Sequence, residues 1–198
     1  MILAPTILLG EHLVKAIETK NLILREWKPE DLPFFAAINQ DPKVMEYFLK
    51  PLTEAETAAM VERIQKHFEQ HGFGLFACIL KSTGQCIGYV GLNVPDFSAH
   101  FTPCVEIGWR LSSDVWGKGY ATEAAWAVLE TGFKEHGLQE IVSFTVPANY
   151  RSIRVMEKIG MTRDADGDFY HPKVPPEHPL RLHVLYRITK EEYEQVHR

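Results

Sequence analysis

Val105-Glu106-Ile107-Gly108-Trp109-Arg110-Leu111, followed shortly by Trp116-Gly117-Lys118-Gly119-Tyr120-Ala121-Thr122-Glu123-Ala124, is the stretch that decides how this chain is read. The first run reads as a strand carrying a single acid, and the second as a glycine turn that opens a helix. A strand that delivers its chain into a Gly-x-Gly turn leaves several backbone N–H groups pointing one way. They sit at the positive end of the helix dipole, where a phosphate is stabilised. The turn is therefore a candidate anion cradle. Glycine is equally used wherever a chain turns sharply with positive φ, so this stretch alone leaves both readings open.

Outward from that centre, strands and helices interleave. Residues 21–27 read as a strand ended by Lys28-Pro29, and Pro29, Glu30 and Asp31 suit the first turn of a helix running to about Asn39. Asp41-Pro42 breaks it. Thr53 and Glu56 form a capping-box signature for a longer helix with Met60, Val61, Ile64 and Phe68 on one face, ended by Gly72. Residues 74–81 and 86–93 are β-rich runs around Ser82-Thr83-Gly84-Gln85, which is hairpin chemistry. Residues 103–111 make the acid-bearing strand and 118–135 the next helix, ended by His136-Gly137. A strand over 139–146, a short helix over 149–158, a last strand over 182–188 and a helical turn from Thr189 complete the chain. Interleaving with an internal hairpin predicts an α+β, or mixed α/β, class rather than a doubly wound sheet.

At 198 residues and 45% hydrophobic, the chain suits one packed domain, placed at 19–198. Residues 1–18 have no clear period and are set apart as an N-terminal extension: an extra helix, a disordered lead or a misassigned start. A net charge of -5 gives no support to nucleic acid as the main partner, which needs a clustered positive surface. Cys78, Cys86 and Cys104 form neither a disulfide framework nor the paired spacing of a zinc site, so no metal is expected. No run approaches the roughly 18 to 20 apolar residues that cross a bilayer, and the start lacks a basic n-region and cleavage signal. A cytoplasmic location without a membrane partner is the expectation.

A second element, Asn149-Tyr150-Arg151-Ser152-Ile153-Arg154-Val155-Met156-Glu157-Lys158-Ile159-Gly160-Met161, changes the odds. Together the two resemble the acetyl-CoA-dependent N-acetyltransferases of the GNAT superfamily, most closely the branch typified by the ribosomal-protein N-terminal acetyltransferases RimJ and RimL. The resemblance covers residues 19–188. It implies a central mixed sheet flanked by helices, in which two parallel strands splay apart and hold CoA in the gap, here between the strands of Glu106 and Ser143.

On that resemblance Trp116, Gly117, Lys118, Gly119, Tyr120, Ala121 and Thr122 would hold the pyrophosphate, and Arg110 and Leu111 would meet the pantetheine through their backbones. Asn149 matches a position whose side chain contacts the pantetheine, although Asn is also a favoured N-cap. Glu106 matches the position of the general base, with a sheet-face acid as the plain alternative. Ser152 matches a serine placed near the departing sulfur. Other branches carry a tyrosine acid where this chain has Met156, which excludes that version. Trp116 stands where Gln or Arg often heads the turn.

Acetyl transfer also needs an oxyanion donor, for which backbone N–H groups near Ile107 and Gly108 are candidates. Cys104 is close to the acid but has no paired His at a recognisable spacing, which speaks against an acyl-cysteine route. The Pro- and His-rich run at 166–187 resembles the connection beside the acceptor cleft in GNAT relatives. It makes His171, His178, Arg181 and His183 acceptor-side candidates, against the alternative of a rigid structural loop. Phe34, Tyr47 and Phe73 fall near the early helices flanking that cleft but read more naturally as core.

The expected acceptor is a primary amine, either a protein N-terminus or a small molecule, and the chain is expected to act as a monomer or homodimer. A non-catalytic acyl-CoA sensor is the rival; it would not need Glu106 or Ser152. A P-loop reading fails because no G-K-[ST] follows the glycines.

Overall fold

The computed structural model describes residues 15–196. Ile17–Glu18 (β1) pairs antiparallel with Leu22–Arg25 (β2), so pairing begins ahead of the expected domain start at Thr19. Residues 1–14, the rest of the expected extension, lie outside the described residues.

A 3-10 turn at Pro29–Asp31 leads into Leu32–Gln40 (α1). Buried Asp31 organises the entry, accepting two hydrogen bonds from the Arg25 guanidinium at 2.7 and 3.0 Å and one from the Lys28 N–H at 2.8 Å. The capping box forms as its sequence signature predicts: Glu56 N–H donates to Thr53 Oγ1 at 3.1 Å and Thr53 N–H to Glu56 Oε2 at 2.8 Å, starting Glu54–His71 (α2). Val61, Ile64 and Phe68 are buried on its inner face, while Met60 is only partly covered.

Leu75–Leu80 (β3) and Gln85–Asn93 (β4) form the hairpin, and Glu106–Leu111 (β5) pairs antiparallel with β4. Then follow Tyr120–Lys134 (α3), Glu140–Thr145 (β6) and Tyr150–Lys158 (α4). Thr162–Arg163 (β7), Phe169–Tyr170 (β8), Leu182–Thr189 (β9) and Lys190–Val196 (α5) end the described chain. β5 begins at Glu106 rather than residue 103. α3 begins at Tyr120 rather than Lys118, because Gly119 takes the N-cap with φ 86. β7 and β8 interrupt what reads as loop; two residues each leave no alternation to detect.

The sheet runs β1-β2-β3-β4-β5-β6-β9-β7, with β8 on β9, and β5–β6 is the parallel pair. Adjacent side chains on a strand face opposite ways. On one face α1 packs by Phe35 against Tyr89 of β4, ring centroids 5.8 Å apart. On the other, α3 brings Gly132 against Leu92 of β4 and Ile141 of β6. Glu123, in the first turn of α3, reaches back to the β1–β2 turn and accepts from Thr19 Oγ1 at 2.6 Å and from the Asn21 N–H and Nδ2 at 2.7 Å each. The large core lies around these helices. A separate small one gathers Phe101, Val142, Phe169 and Leu185, with Phe97, Cys104 and Phe144 against it. Among the described residues no helix is long and apolar enough to cross a membrane.

Candidate active site

β5 and β6 register at Glu106 with Val142, whose N–H reaches the Val105 carbonyl at 2.9 Å. One residue on, the Ser143 hydroxyl bridges to the Ile107 carbonyl at 2.9 Å, and past that point the two strands share no register pair. The strands therefore splay toward Leu111. Backbone groups alternate sides along a strand, and the Val105 and Ile107 carbonyls face β6. The same alternation turns Ile107, Trp109 and Leu111 to the gap and returns Gly108 and Arg110 to the β4 ladder.

That corrects two expectations. Of the pair Arg110 and Leu111, Leu111 presents its backbone to the gap, together with Trp109, while Arg110 does not. Of the two candidate oxyanion donors, Ile107 faces the gap and Gly108 is engaged by β4. Sequence alone does not give this parity, which depends on pairing register. The Leu111 carbonyl accepts from Trp116 Nε1 at 3.0 Å, latching the end of β5 to the glycine turn.

The turn is open on its outer side. Gly117 and Gly119 have φ of 77 and 86, and a Cβ at either would meet no protein atom within 4 Å. Above it lies a cavity of about 350 Å³ lined by Trp116, Gly117, Gly119, Tyr120, Ala121 and Thr122, with Lys118 turned away from it. Lys43, Arg110, Arg151, Arg154 and Lys158 also line this cavity, and among the described residues no Asp or Glu does, although Arg151 pairs with Glu46 beside it at 2.7 Å. On a chain of net charge -5 this is a local inversion of charge. The Arg151 guanidinium stacks over the Trp116 ring at 4.5 Å. Arg110 is buried, donates to Asn39 Oδ1 at 2.7 Å and stacks over Phe48 at 4.0 Å, with its Nε unpartnered.

A second cavity of about 300 Å³ meets the first at Tyr47, Phe48, Trp109, Asn149 and Ser152. Glu106 lies in it, with Gly108 and Ser143 beside it and His171, Val174, Leu180 and His183 closing it from the β8–β9 connection. Burial pushes the Glu106 carboxyl up to about 7, against a hydrogen bond from the cross-strand Asn93 side chain. Burial also lowers both histidines, His183 to about 4. A carboxylate poised near neutrality thus stands where a splayed gap, a cation-lined cavity and a cavity of mixed aromatic and polar lining converge.

Residues 21–162 match the family model of an acetyltransferase (GNAT) domain. The chain belongs to the GNAT acetyltransferase family. Over 178 residues it is 33% identical to the uncharacterized N-acetyltransferase YnaD of Bacillus subtilis, covering 89% of this chain and 98% of that one. It is 30% identical to the FsC-acetyl coenzyme A-N(2)-transacetylase of Aspergillus fumigatus, over 89% of this chain and 77% of the relative. Among solved structures, the GNAT-family acetyltransferase of Bacillus anthracis superposes with a TM-score of 0.73 at 31% identity, covering 89% of this chain and 99% of that chain.

In this acetyltransferase the remaining candidates separate. Asn149 caps α4, its Oδ1 accepting the Ser152 N–H at 3.2 Å while Nδ2 donates to Thr145 Oγ1 at 3.1 Å, so the N-cap alternative is realised at the junction of the cavities. His171 and His183 line the second cavity, but His178 and Arg181 line neither. His178 Nδ1 accepts the Leu180 N–H at 3.2 Å, and Arg181 stacks over Tyr170 at 4.8 Å; both stiffen the loop from within. Tyr47 lines both cavities, Phe34 is exposed on α1, and Phe73 is buried in the core. Burial and the Glu106 charge push the Cys104 thiol up to about 11, which keeps it protonated and a poor nucleophile.

Sequence reading missed the cationic lining. Arg151, Arg154 and Lys158 stand three and four apart, one face of a helix, and that spacing was the available signal.

Proposed function

We propose that this acetyltransferase moves an acetyl group from acetyl-CoA to a primary amine by direct attack. The observation that carries the proposal is the joining, at Asn149 and Ser152, of a cation-lined cavity under a glycine turn with a cavity holding one poised carboxylate. The names of the two relatives, an N-acetyltransferase and an acetyl coenzyme A N(2)-transacetylase, support the same donor and bond.

Acetyl-CoA supplies the acyl group as a thioester. The N–H groups of the turn and the Arg151, Arg154 and Lys158 cations suit its phosphates. Trp109 and the Leu111 N–H offer strand edge for the pantetheine amides, in the manner of an added strand. Glu106, ionised above about pH 7, takes the proton that an ammonium must lose before nitrogen can attack. A C–N bond forms, the C–S bond breaks, and the thiolate leaves to be protonated. Ser152, which lines both cavities, is the candidate to hydrogen-bond that sulfur; a thiol of ordinary pKa about 8.5 needs little more.

Calorimetric titration with acetyl-CoA, followed by thiol release against amines and peptides, tests this. Binding with amine-dependent release is the expected result. Binding without release from any amine would indicate an acyl-CoA sensor, and absence of binding would remove the donor assignment.

A further inference from the structure

We infer that the acceptor is a small primary monoamine on an apolar or aromatic body, with neither a carboxylate nor a second cationic group. The inference rests on the amine-acetylation reading above and adds the substrate class to it.

Glu106 is the one Asp, Glu, Lys or Arg among the residues lining the second cavity. The bulk of its walls is aromatic and aliphatic, from Tyr47, Phe48, Tyr89, Phe144, Val174 and Leu180, and its other polar groups are the uncharged Ser143, Thr145, Asn149 and Ser152. The two imidazoles that complete the walls are packed as rings: His171 and His183 lie 5.0 Å apart, His171 lies 4.7 Å from Phe97, and His183 lies 6.1 Å from Phe144. Burial lowers the pKa of both, so they add no positive charge near neutral pH. Arg110 lines the other cavity, and from this one its buried guanidinium is screened by the Phe48 and Tyr89 rings, 4.0 and 5.5 Å from it.

Three of the polar atoms here are already engaged by the protein. His171 Nδ1 accepts the Lys173 N–H at 3.2 Å, His183 Nδ1 lies 3.2 Å from the Arg181 carbonyl, and the Ser143 hydroxyl is spent on Ile107 at 2.9 Å. The loop carrying His171 is held across the cavity by an ion pair between Lys173 and Asp96.

Each alternative acceptor meets this lining badly. The carboxylate of an amino acid would be desolvated with no cation to receive it, and the second ammonium of a diamine with no second carboxylate. Peptide amides would find few free partners. One ammonium fits, drawn to Glu106 and to the aromatic faces. It gives its proton to Glu106 and leaves as the acetamide, with CoA thiol as the second product.

The test is thiol release by the full chain at saturating acetyl-CoA, with 2-phenylethylamine, hexylamine, putrescine, lysine and a hexapeptide with a free N-terminus. The expected kcat/KM for the first two exceeds the others by about tenfold or more. Equal or faster turnover of putrescine, lysine or the peptide overturns the inference while leaving amine acetylation standing. No release from any amine, in a preparation that binds acetyl-CoA calorimetrically, overturns both. As a second arm, His171→Glu places a further carboxylate in the wall. It should raise the putrescine-to-hexylamine ratio of kcat/KM by about tenfold, and an unchanged ratio in folded protein counts against the assignment.

Discussion

Glu106 faces Asn93 across the β4–β5 ladder, and the burial that pushes its carboxyl up to about 7 makes its ionisation a cost to the fold. With free enzyme and free amine as reference, kcat/KM should rise through about pH 7 as the carboxylate ionises. Glu106→Gln should lower it by roughly 10²- to 10⁴-fold and remove that limb, with recovery only where the amine deprotonates unaided. A retained limb in the variant would remove Glu106 from the mechanism. The same shift has a stability sign. A folded pKa raised above 4.5 gives stability that is full below that pH and lost as pH rises through about 7. Glu106→Gln should therefore melt with the wild type at pH 4 but above it at pH 8, by roughly 1 to 3 kcal/mol. Equal melting at both pH values would show that burial does not burden this carboxylate. The family resemblance singled out Glu106, Asn149 and Ser152, and the structure brings all three to the walls of one cavity. His178 and Arg181 carry the same suggestive chemistry as His171 and His183, and only the path of the loop tells the pairs apart.

The turn and α3 behave as one element, because Glu123 ties the start of the helix to Thr19 and Asn21. Burial raises the Glu123 pKa, but the hydrogen bonds from Asn21 and Thr19 outweigh it and the net shift is downward. Glu123→Ala should cost roughly 1 to 3 kcal/mol in denaturant unfolding near neutral pH. A lowered folded pKa makes that contribution present above 4.5 and lost as pH falls, so the gap between wild type and variant should close on acidification; a gap constant with pH would assign it to packing. Gly119→Glu places a side chain into open space at φ 86, so the fold should survive with a backbone cost of about 1 to 2 kcal/mol. Acetyl-CoA affinity should fall by about 100-fold, since a carboxylate would stand where phosphate is expected; calorimetry showing unchanged affinity would refute the cradle. Caps and periodicity carried the helices in the sequence. Element starts shifted where a glycine with positive φ or a short pairing decided them, as at Gly119 and β1.

Across the whole molecule, a net charge of -5 coexists with a cavity whose charged lining is wholly cationic. Composition gave no support to a nucleic-acid surface, yet an average over 198 residues conceals five cations brought together from the loop after α1, from β5 and from α4. Their gathering is a property of topology, which is why the helix spacing of Arg151, Arg154 and Lys158 was its one local trace. Acetyl-CoA affinity should accordingly weaken about fivefold or more between roughly 50 and 500 mM salt; an affinity flat with salt would mean that these cations do not face the ligand. The division into two cores bears on descent. The wall of the second cavity leans on Phe97 and Phe144, which pack with the small cluster of Phe101, Val142, Phe169 and Leu185, while the glycine turn and its helix rest on the large one. With donor and acceptor placed as proposed, mutations accumulating in the small cluster would reshape what is accepted without loosening the grip on the donor, so a lineage built on this scaffold would be free to change its diet while keeping its fuel.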